Sequence, residues 1–497
     1  MLFLSVDMIK EAEARIMENV SAMHLIENAA KACFDEIKEF NSVRVYCGKG
    51  NNGSDGYATA ILLKKHGKRV EIVQVAEPAG EECRTLAQRA FESEIPIVTE
   101  VGFPSDDFEC VLDAIFGIGV KGEITDEKII RAIDMINISD SYIVSCDVPS
   151  GMNADTGEVC SSCVKADKTI TFTAPKRGML SNDSVDLCGE IVIAEVGIPV
   201  NYNNITEETC VPLTDKLIKT ILPKRSRLSH KGTFGTAVIV AGSQGMIGAA
   251  AMAALAASKS GCGLVKILAP SQICSALNIL VKEAVVIPMP HHNGTLLHEL
   301  TDDAIYAIKT AGSVLVGCGI GRGNHAELIS NILNNASCPV IIDADGINAL
   351  RGKCDIIRNK DVLLTPHVKE FSRISGLDIS QIEKNRISIA DKFARDMGVN
   401  LLLKGARSVI AYGGRNKYVS PISTSALSKA GSGDILSGII VSLASQGLSL
   451  TDSAAAGCYI HSKAGLLCEK EIGAYGTTAD DIIAKIPAVI KKVTSKV

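Results

Sequence analysis

The stretch Ala430–Gly438, AGSGDILSG, constrains this chain more than any other. Three small residues, Gly431, Ser432 and Gly433, lead into Asp434, and an almost uncharged run from Ile435 to Gln446 follows. Ile435, Ile439 and Leu443 share one helical face, and Leu436, Ile440 and Ala444 share the next. The run therefore reads as a largely buried helix, apolar on most sides. The free N–H groups at its start, with the macrodipole, make a site for phosphate-like charge, and the glycines let the backbone close around it. Asp434 stands where a carboxylate could take a proton from a hydroxyl attacking that phosphate. Taken alone, Asp434 also fits an N-cap after a glycine turn.

At 497 residues the chain exceeds one ordinary core, which predicts two domains. A hydrophobic fraction of 46% with 22% charged residues describes a soluble globular protein. The net charge of -5, without a basic run or aromatic platform, gives no reason to expect nucleic acid. Asp7, Lys10 and Glu11 interrupt the apolar start, so no signal peptide is read; the 16 cysteines are expected as free thiols in a reducing cytoplasm. Cys160 and Cys163 form a CxxC without the second pair a zinc site needs. The uncharged segment Gly232–Ser258 is broken by Gly235, Gly242, Ser243, Gln244, Gly245 and Gly248. It is expected to split into strand, loop and helix instead of crossing a membrane.

In the first half, Ile9, Ala12 and Ile16, then Ile26, Ala29, Cys33 and Ile37, repeat at helical spacing. A strand, Ser42–Cys47, feeds the glycine-rich turn GKGNNGSDG at 48–56; a helix from Tyr57 to His66 and a strand at Arg69–Val75 follow. Gly48, Gly50 and Gly53 fit the dinucleotide-binding pattern, with Glu71 or Glu77 near the place of a ribose-binding acid. One reading is accordingly a nicotinamide dehydrogenase, although Asn51, Asn52 and Asp55 are unusually polar for a loop that needs only its backbone. Two more strands end in carboxylates, Val111–Asp113 before AIFGIGVKGE and Tyr142–Cys146 before Asp147-Val-Pro-Ser-Gly151. Beyond the carboxyl ends of parallel strands, Asn52, Asp113 and Ser150 could offer hard oxygens to a cation, and Asp147 an acid/base group. Each is also an ordinary turn or cap residue when read singly.

GKGNNGSDG, LDAIFGIGVKG and CDVPSG, with LIENAA in the opening helices, resemble the YjeF N-terminal family of NAD(P)H-hydrate epimerases, as far as about Asn204. The resemblance implies a Rossmann-like three-layer sandwich. It implies that the hydrated dinucleotide is held by Asn51, Asn52, Gly53, Ser54 and Asp55 and by Gly117, Ile118, Gly119, Val120, Lys121, Gly122 and Glu123. Asp147 would stand at the reacting nicotinamide, and potassium would be held by Asn52, Asp113 and Ser150. Ser54 and Ala30 replace glycines usual in that family.

A joint is expected between Asn201 and Ser229, a stretch short on apolar pattern that contains Pro212 and Pro223. The division is residues 1–213, a linker 214–228, and residues 229–497. The second half restarts with strands at Thr236–Ala241, Leu264–Ala269, Ala284–Pro288, Ser313–Gly317, Pro339–Ile342 and Val362–Thr365, with helices between several of them, again α/β with a mainly parallel sheet. Chemistry-bearing segments again follow strands: the turn Gly317–Gly321, which brings backbone close to a ligand, then Asp343–Asn348, His367 and Glu370 in LTPHVKEFSR, and Lys404. With AGSGD they describe a nucleotide-dependent phosphoryl-transfer site that has no Walker A loop.

HKGTFG, VIVAGSQGMIGAA, SGCGLVKI, DADGINAL, LTPHVKEF and AGSGD, in that order, resemble the ribokinase-like NAD(P)H-hydrate dehydratases. The resemblance implies that Lys404, Gly405, Ala406, Arg407 and Ser408 line an adenine nucleotide. With them go Thr424, Ser425, Ala426, Leu427, Ser428, Lys429, Ala430, Gly431, Ser432 and Gly433. Gly319, His367, Val368, Lys369, Glu370, Phe371, Ser372, Arg373 and Asp434 would contact the hydrated dinucleotide. Cys318 replaces a usual proline, and Val368–Lys369 a usual Pro-Gly. The implied activities are epimerisation of R- and S-NAD(P)HX and dehydration of the S form with Mg2+ and ADP, giving AMP and phosphate. The expected partners are these small molecules, in a homo-oligomer without nucleic acid or membrane. The alternative is a kinase of a small vitamin-precursor alcohol fused to a non-catalytic binding domain.

Overall fold

The computed structural model describes residues 2–102, 108–120, 122–181, 183–199, 210–321, 323, 325–413 and 417–495. The chain divides into two compact units, Met1–Pro212 and Leu213–Val497.

The first unit holds β1 (Ser42–Cys47), β2 (Arg69–Gln74), β3 (Ile97–Val98), β4 (Cys110–Ala114), β5 (Tyr142–Cys146), β6 (Lys168–Phe172) and β7 (Glu190–Ala194). They pair in the order β3-β2-β1-β4-β5-β6-β7, every neighbour parallel. A parallel sheet is covered on both faces, and β1 and β4 are accordingly buried at every position. Strand order reverses between β1 and β4, and ligands of such sheets bind beyond the strand ends at that reversal.

Helices α1 (Val6–Met17) and α2 (Ala22–Ile37) start where the Ser5 and Ser21 side chains accept the Met8 and His24 N–H groups. The next helix, α3 (Asn51–Lys65), begins at Asn51 and not at the expected Tyr57. Asn and Gly are poor helix formers, but the tight turn out of β1 overrides propensity. Gly53 lies so close to the Gly48 carbonyl that a Cβ there would overlap it, and Asn52, Ser54 and Asp55 are buried. Glu71, weighed as a ribose-binding acid, is on β2 and accepts from Arg44 Nε at 2.8 Å.

The second unit opens with α4 (Asp215–Ile221), capped by Thr214 Oγ1, a helix within the stretch 214–228 read from sequence as a linker. Leu217, Ile218 and Ile221 are too few to show a period in sequence, yet Ile218 is fully buried in this unit's core. Strands β8 (Thr236–Val240), β9 (Leu264–Pro270), β10 (Val285–Met289), β11 (Ser313–Val316), β12 (Val340–Ile342), β13 (Val362–Leu364), β14 (Asn400–Leu403), β15 (Val409–Tyr412) and β16 (Lys417–Val419) follow. They lie in the order β10-β9-β8-β11-β12-β13-β14-β15-β16, parallel as far as β14 and antiparallel after it. Val316, Ile342 and Leu364 are in register across β11, β12 and β13, so the loops after them open at one level.

The main site-bearing helices of this unit are α5 (Ile247–Lys259), α6 (Val368–Ser375), α7 (Ser432–Ser445) and α8 (Leu450–Ile472). Gly232–Ser258 resolves into β8, a turn and α5. Among the described residues no helix is long and apolar enough to cross a membrane. The apolar run after AGSGD is α7, with Ile435, Ile439, Ile440 and Val441 fully buried. It approaches α5 so closely that a Cβ on Gly438 would overlap the Ala253 carbonyl.

Candidate active sites

In the first unit the predicted groups gather where β1, β4 and β5 end. Asp113, the penultimate residue of β4, is fully buried and its Oδ2 accepts from Ser145 Oγ and the Ser150 N–H, each at 2.8 Å. Its Oδ1 accepts from Ser150 Oγ at 2.5 Å and the Ile115 N–H at 3.3 Å. Burial pushes the Asp113 carboxyl up, while the Ser150, Ser145 and Ile115 hydrogen bonds pull it down. Ser150 Oγ also accepts the Phe116 N–H at 2.8 Å, tying the loop after β4 to the loop after β5.

Asp147 directly follows β5 with φ +67°, a left-handed conformation that costs a non-glycine residue energy. Gly117 lies beside it: a Cβ there would stand 3.4 Å from Asp147 Oδ2 and 3.5 Å from Asn52 Cγ. Asn52 in the first turn of α3, Gly117 after β4 and Asp147 after β5, three predicted site residues, thus share one wall. Asp55, in α3, is pushed well up by burial and then by the charges of Asp147 and Glu13. Gly119, Gly122 and Glu123 are exposed on the loop after β4, Ile118 and Val120 are half-buried, and Lys121 lies outside the described residues. Lys176, which sequence reasoning missed, ion-pairs with Asp147. A lone lysine after Pro175 carries no spacing signal.

In the second unit the carboxyl ends of β11, β12 and β14 meet the start of α7. Gly431 caps α7 in the left-handed region, φ +87°, so Asp434 sits in the first turn and is not the N-cap. The ligand atoms of Cys318, Asp343 and Asp434 lie within 4.8 Å of one another. Lys404 Nζ donates to Asp343 Oδ1 at 2.8 Å, and Ser437 Oγ of α7 donates to Asp343 Oδ2 at 2.7 Å. A Cβ on Gly433 would stand 3.4 Å from Lys404 Nζ, so the glycine turn faces that ammonium.

Burial, then the Asp343 charge, pushes Asp434 up to about 6, against the pull of the Cys318 thiol and Lys404. Burial would lower Lys404, but Asp343 and Glu370 more than offset it and hold the amine charged. A carboxylate tuned toward neutrality beside a fixed cation, at a helix start, can accept a proton near an anionic phosphoryl group.

His367 caps α6: its Nδ1 accepts the Lys369 and Glu370 N–H groups at 3.1 and 3.3 Å, and Glu370 accepts the His367 N–H at 2.8 Å. The Phe371 ring is fully buried in edge contact with Phe393, 5.1 Å between centroids, and so faces the core. Arg373 donates to Asn348 Oδ1 at 2.7 Å, and Arg407, buried, braces the Pro421 carbonyl at 2.6 Å. Of three supporting residues, Arg386 and His461 lie outside every motif, and Ser437, inside AGSGDILSG, had no role assigned from sequence. Arg386 holds the Lys404 carbonyl at 2.9 Å, Ser437 holds Asp343, and His461 of α8 meets Ser432 Oγ at 3.1 Å.

Residues 237–488 match the family model described as NAD(P)H-hydrate dehydratase, and residues 22–178 match that of the YjeF-related protein N-terminus. Along almost the whole chain, the protein is 32% identical to the bifunctional NAD(P)H-hydrate repair enzyme Nnr of Dictyoglomus turgidum, covering 98% of this chain and 97% of that one. The chain belongs to the bifunctional NAD(P)H-hydrate repair enzyme family. Among solved structures it is similar to a ribokinase-like superfamily protein of Enterococcus faecalis V583, at 23% identity and a TM-score of 0.51, covering 60% of this chain and 100% of that one. That likeness establishes the ribokinase-like fold. It also resembles the ADP/ATP-dependent NAD(P)H-hydrate dehydratase of Bacillus subtilis, co-crystallized with ATP/Mg2+, at 27% identity and a TM-score of 0.49, covering 57% of this chain and 99% of that one.

Proposed function

We propose that this member of the repair-enzyme family restores hydrated nicotinamide cofactors. Residues 1–213 interconvert R- and S-NAD(P)HX, and residues 229–497 return the S form to NAD(P)H with ADP and Mg2+. One arrangement carries this function: Asp434 in the first turn of α7, behind the Gly431–Gly433 turn, beside Lys404 and Asp343.

Asp434 takes the proton of the C6 hydroxyl, whose oxygen attacks the terminal phosphorus of ADP. The new O–P bond forms as the phosphoanhydride breaks and AMP leaves. Backbone N–H groups of Gly431–Gly433, with Lys404, steady the transferring group. The C6–O bond then breaks, carrying off phosphate, and loss of a C5 proton restores the ring double bond.

For epimerisation, C6 bears both the hydroxyl and the ring nitrogen. Asp147 takes the hydroxyl proton, a C6 carbonyl forms, and the C6–N1 electron pair passes to nitrogen, which is protonated. Rotation and reclosure from the other face give the second epimer. Asn52, Asp113 and Ser150 would hold potassium. Amide, carboxylate and hydroxyl oxygens form a hard donor set, and the buried Asn52 Nδ2 has no partner among the described residues, which fits an amide turned to offer its oxygen. Bound there, potassium would balance the Asp113 charge.

The test is recovery of NADH absorbance from hydrated NADH, Mg2+ and either ADP or ATP. Full recovery from mixed epimers is expected. Recovery of only the S fraction removes the epimerase, and a stable phosphorylated product with no recovery indicates the kinase alternative.

A further inference from the structure

We infer that Lys176 is a positioning residue for epimerisation, clamping one oxygen of Asp147 so that the other, Oδ2, faces the substrate. The inference rests on the assignment of epimerisation to the first unit. Lys176 is 1% exposed, and its Nζ pairs with Asp147 Oδ1, donates to Thr171 Oγ1 at 2.8 Å and donates to the Phe172 carbonyl at 3.1 Å. An ammonium has three N–H donors, and all three are committed to protein. Lys176 therefore has none to give a reacting atom, and it acts through Asp147.

The clamp is one-sided. Asp147 Oδ1 also accepts the Phe172 N–H at 3.2 Å, whereas Oδ2 is the oxygen near Gly117 and Asn52. The backbone at each end is fixed as well. Leu4 N–H donates to the Pro175 carbonyl and Arg177 N–H to the Leu4 carbonyl, each at 2.9 Å, and Asp147 N–H donates to the Ile170 carbonyl at 2.8 Å.

The charges around Asp147 show why a cation is needed. Asp55 of α3 and Glu13 of α1 both feel its negative charge, as does the Cys146 thiol beside it. Lys176 and, more weakly, Lys10 are the cations that act on Glu13 in the same cluster. Three acidic groups this close oppose one another's negative charge, and a buried ammonium both offsets that opposition and fixes which oxygen of Asp147 points outward.

The experiment uses the full-length chain, so that dehydration of purified S-NADHX reports on folding in the same molecule. Exchange of R- and S-NADHX is followed by chromatography without nucleotide. Lys176→Ala is expected to lower the exchange kcat about 100-fold with KM little changed, to recover at least about tenfold with methylammonium, and to dehydrate as wild type does. Lys176→Gln, which fills the same space without charge, should be equally slow and insensitive to methylammonium. Unchanged exchange in Lys176→Ala, or a loss that methylammonium does not reverse, overturns the role. A wild-type chain that exchanges no epimers overturns instead the activity assigned to the first unit.

Discussion

Lys404 Nζ lies 2.8 Å from Asp343 Oδ1, and this partly buried pair joins the end of β14 to the end of β12 at the start of α7. Asp343 holds the lysine in place, and its charge is the second-largest influence raising Asp434. Asp343→Asn removes that charge and leaves Lys404 nearby, so Asp434 becomes easier to ionise. The acid limb of the dehydration pH profile is expected to move to lower pH than in wild type, with weaker nucleotide binding from a less constrained Lys404. A profile of kcat against pH for both proteins checks this.

Asp434 acts as a base and must be ionised to work. With its value near 6, wild-type dehydration should be full above that pH and fall as pH drops through it. Asp434→Asn is expected to reduce dehydration by roughly 1,000-fold or more, within the range that loss of a catalytic base produces, while R/S exchange continues. Near-normal dehydration by this variant would remove Asp434 from the mechanism.

Ser432 and His461 form a buried pair at the head of α7, and burial, then Lys404, push His461 down to about 4. The imidazole is therefore neutral at working pH and serves as a fixed polar brace. Ser432→Ala leaves it without that partner, which costs about 1–3 kcal/mol. The expected result is a lower Tm of the second unit and a raised KM for the nucleotide, read by thermal unfolding and by nucleotide titration.

Gly438 tests how tightly α7 and α5 pack. A Cβ there overlaps the Ala253 carbonyl, a backbone atom that cannot turn aside. Gly438→Ala should destabilise by about 1–3 kcal/mol despite the better helix propensity of alanine, the usual range for overpacking. Equilibrium urea unfolding would show it, and an unchanged midpoint would contradict the close approach.

Ser150 links Asp113 to the Phe116 N–H. Ser150→Ala removes one proposed potassium ligand and frees that loop. Exchange of NADHX epimers is expected to need at least about tenfold more potassium than wild type, in line with the cost of losing a group that orders a metal site. Titration with potassium against a sodium background measures it, with dehydration unchanged.

The sequence determined the α/β class of both halves, the strand positions near the sites, and the groups that follow those strands. It could do so because apolar runs bounded by glycine and polar turns are local signals, and loops after parallel strands converge in any such sheet. Asn52, Asp113, Asp147, Ser150, Lys404 and Asp434 were legible for that reason. Tertiary structure alone decided the rest. The tight turn out of β1 set the helix start at Asn51, and burial against the core set the helix inside 214–228, overriding propensity and short periods. Phe371 faces the core, and His367 closes a capping box, because the helix they begin is oriented by its packing. The clamps on Asp147, Asp343, Lys404 and Ser432 come from Lys176, Ser437, Arg386 and His461, far along the chain from the residues they hold. A contact between distant residues leaves no spacing in one sequence, and only the folded chain brings those partners within a hydrogen bond.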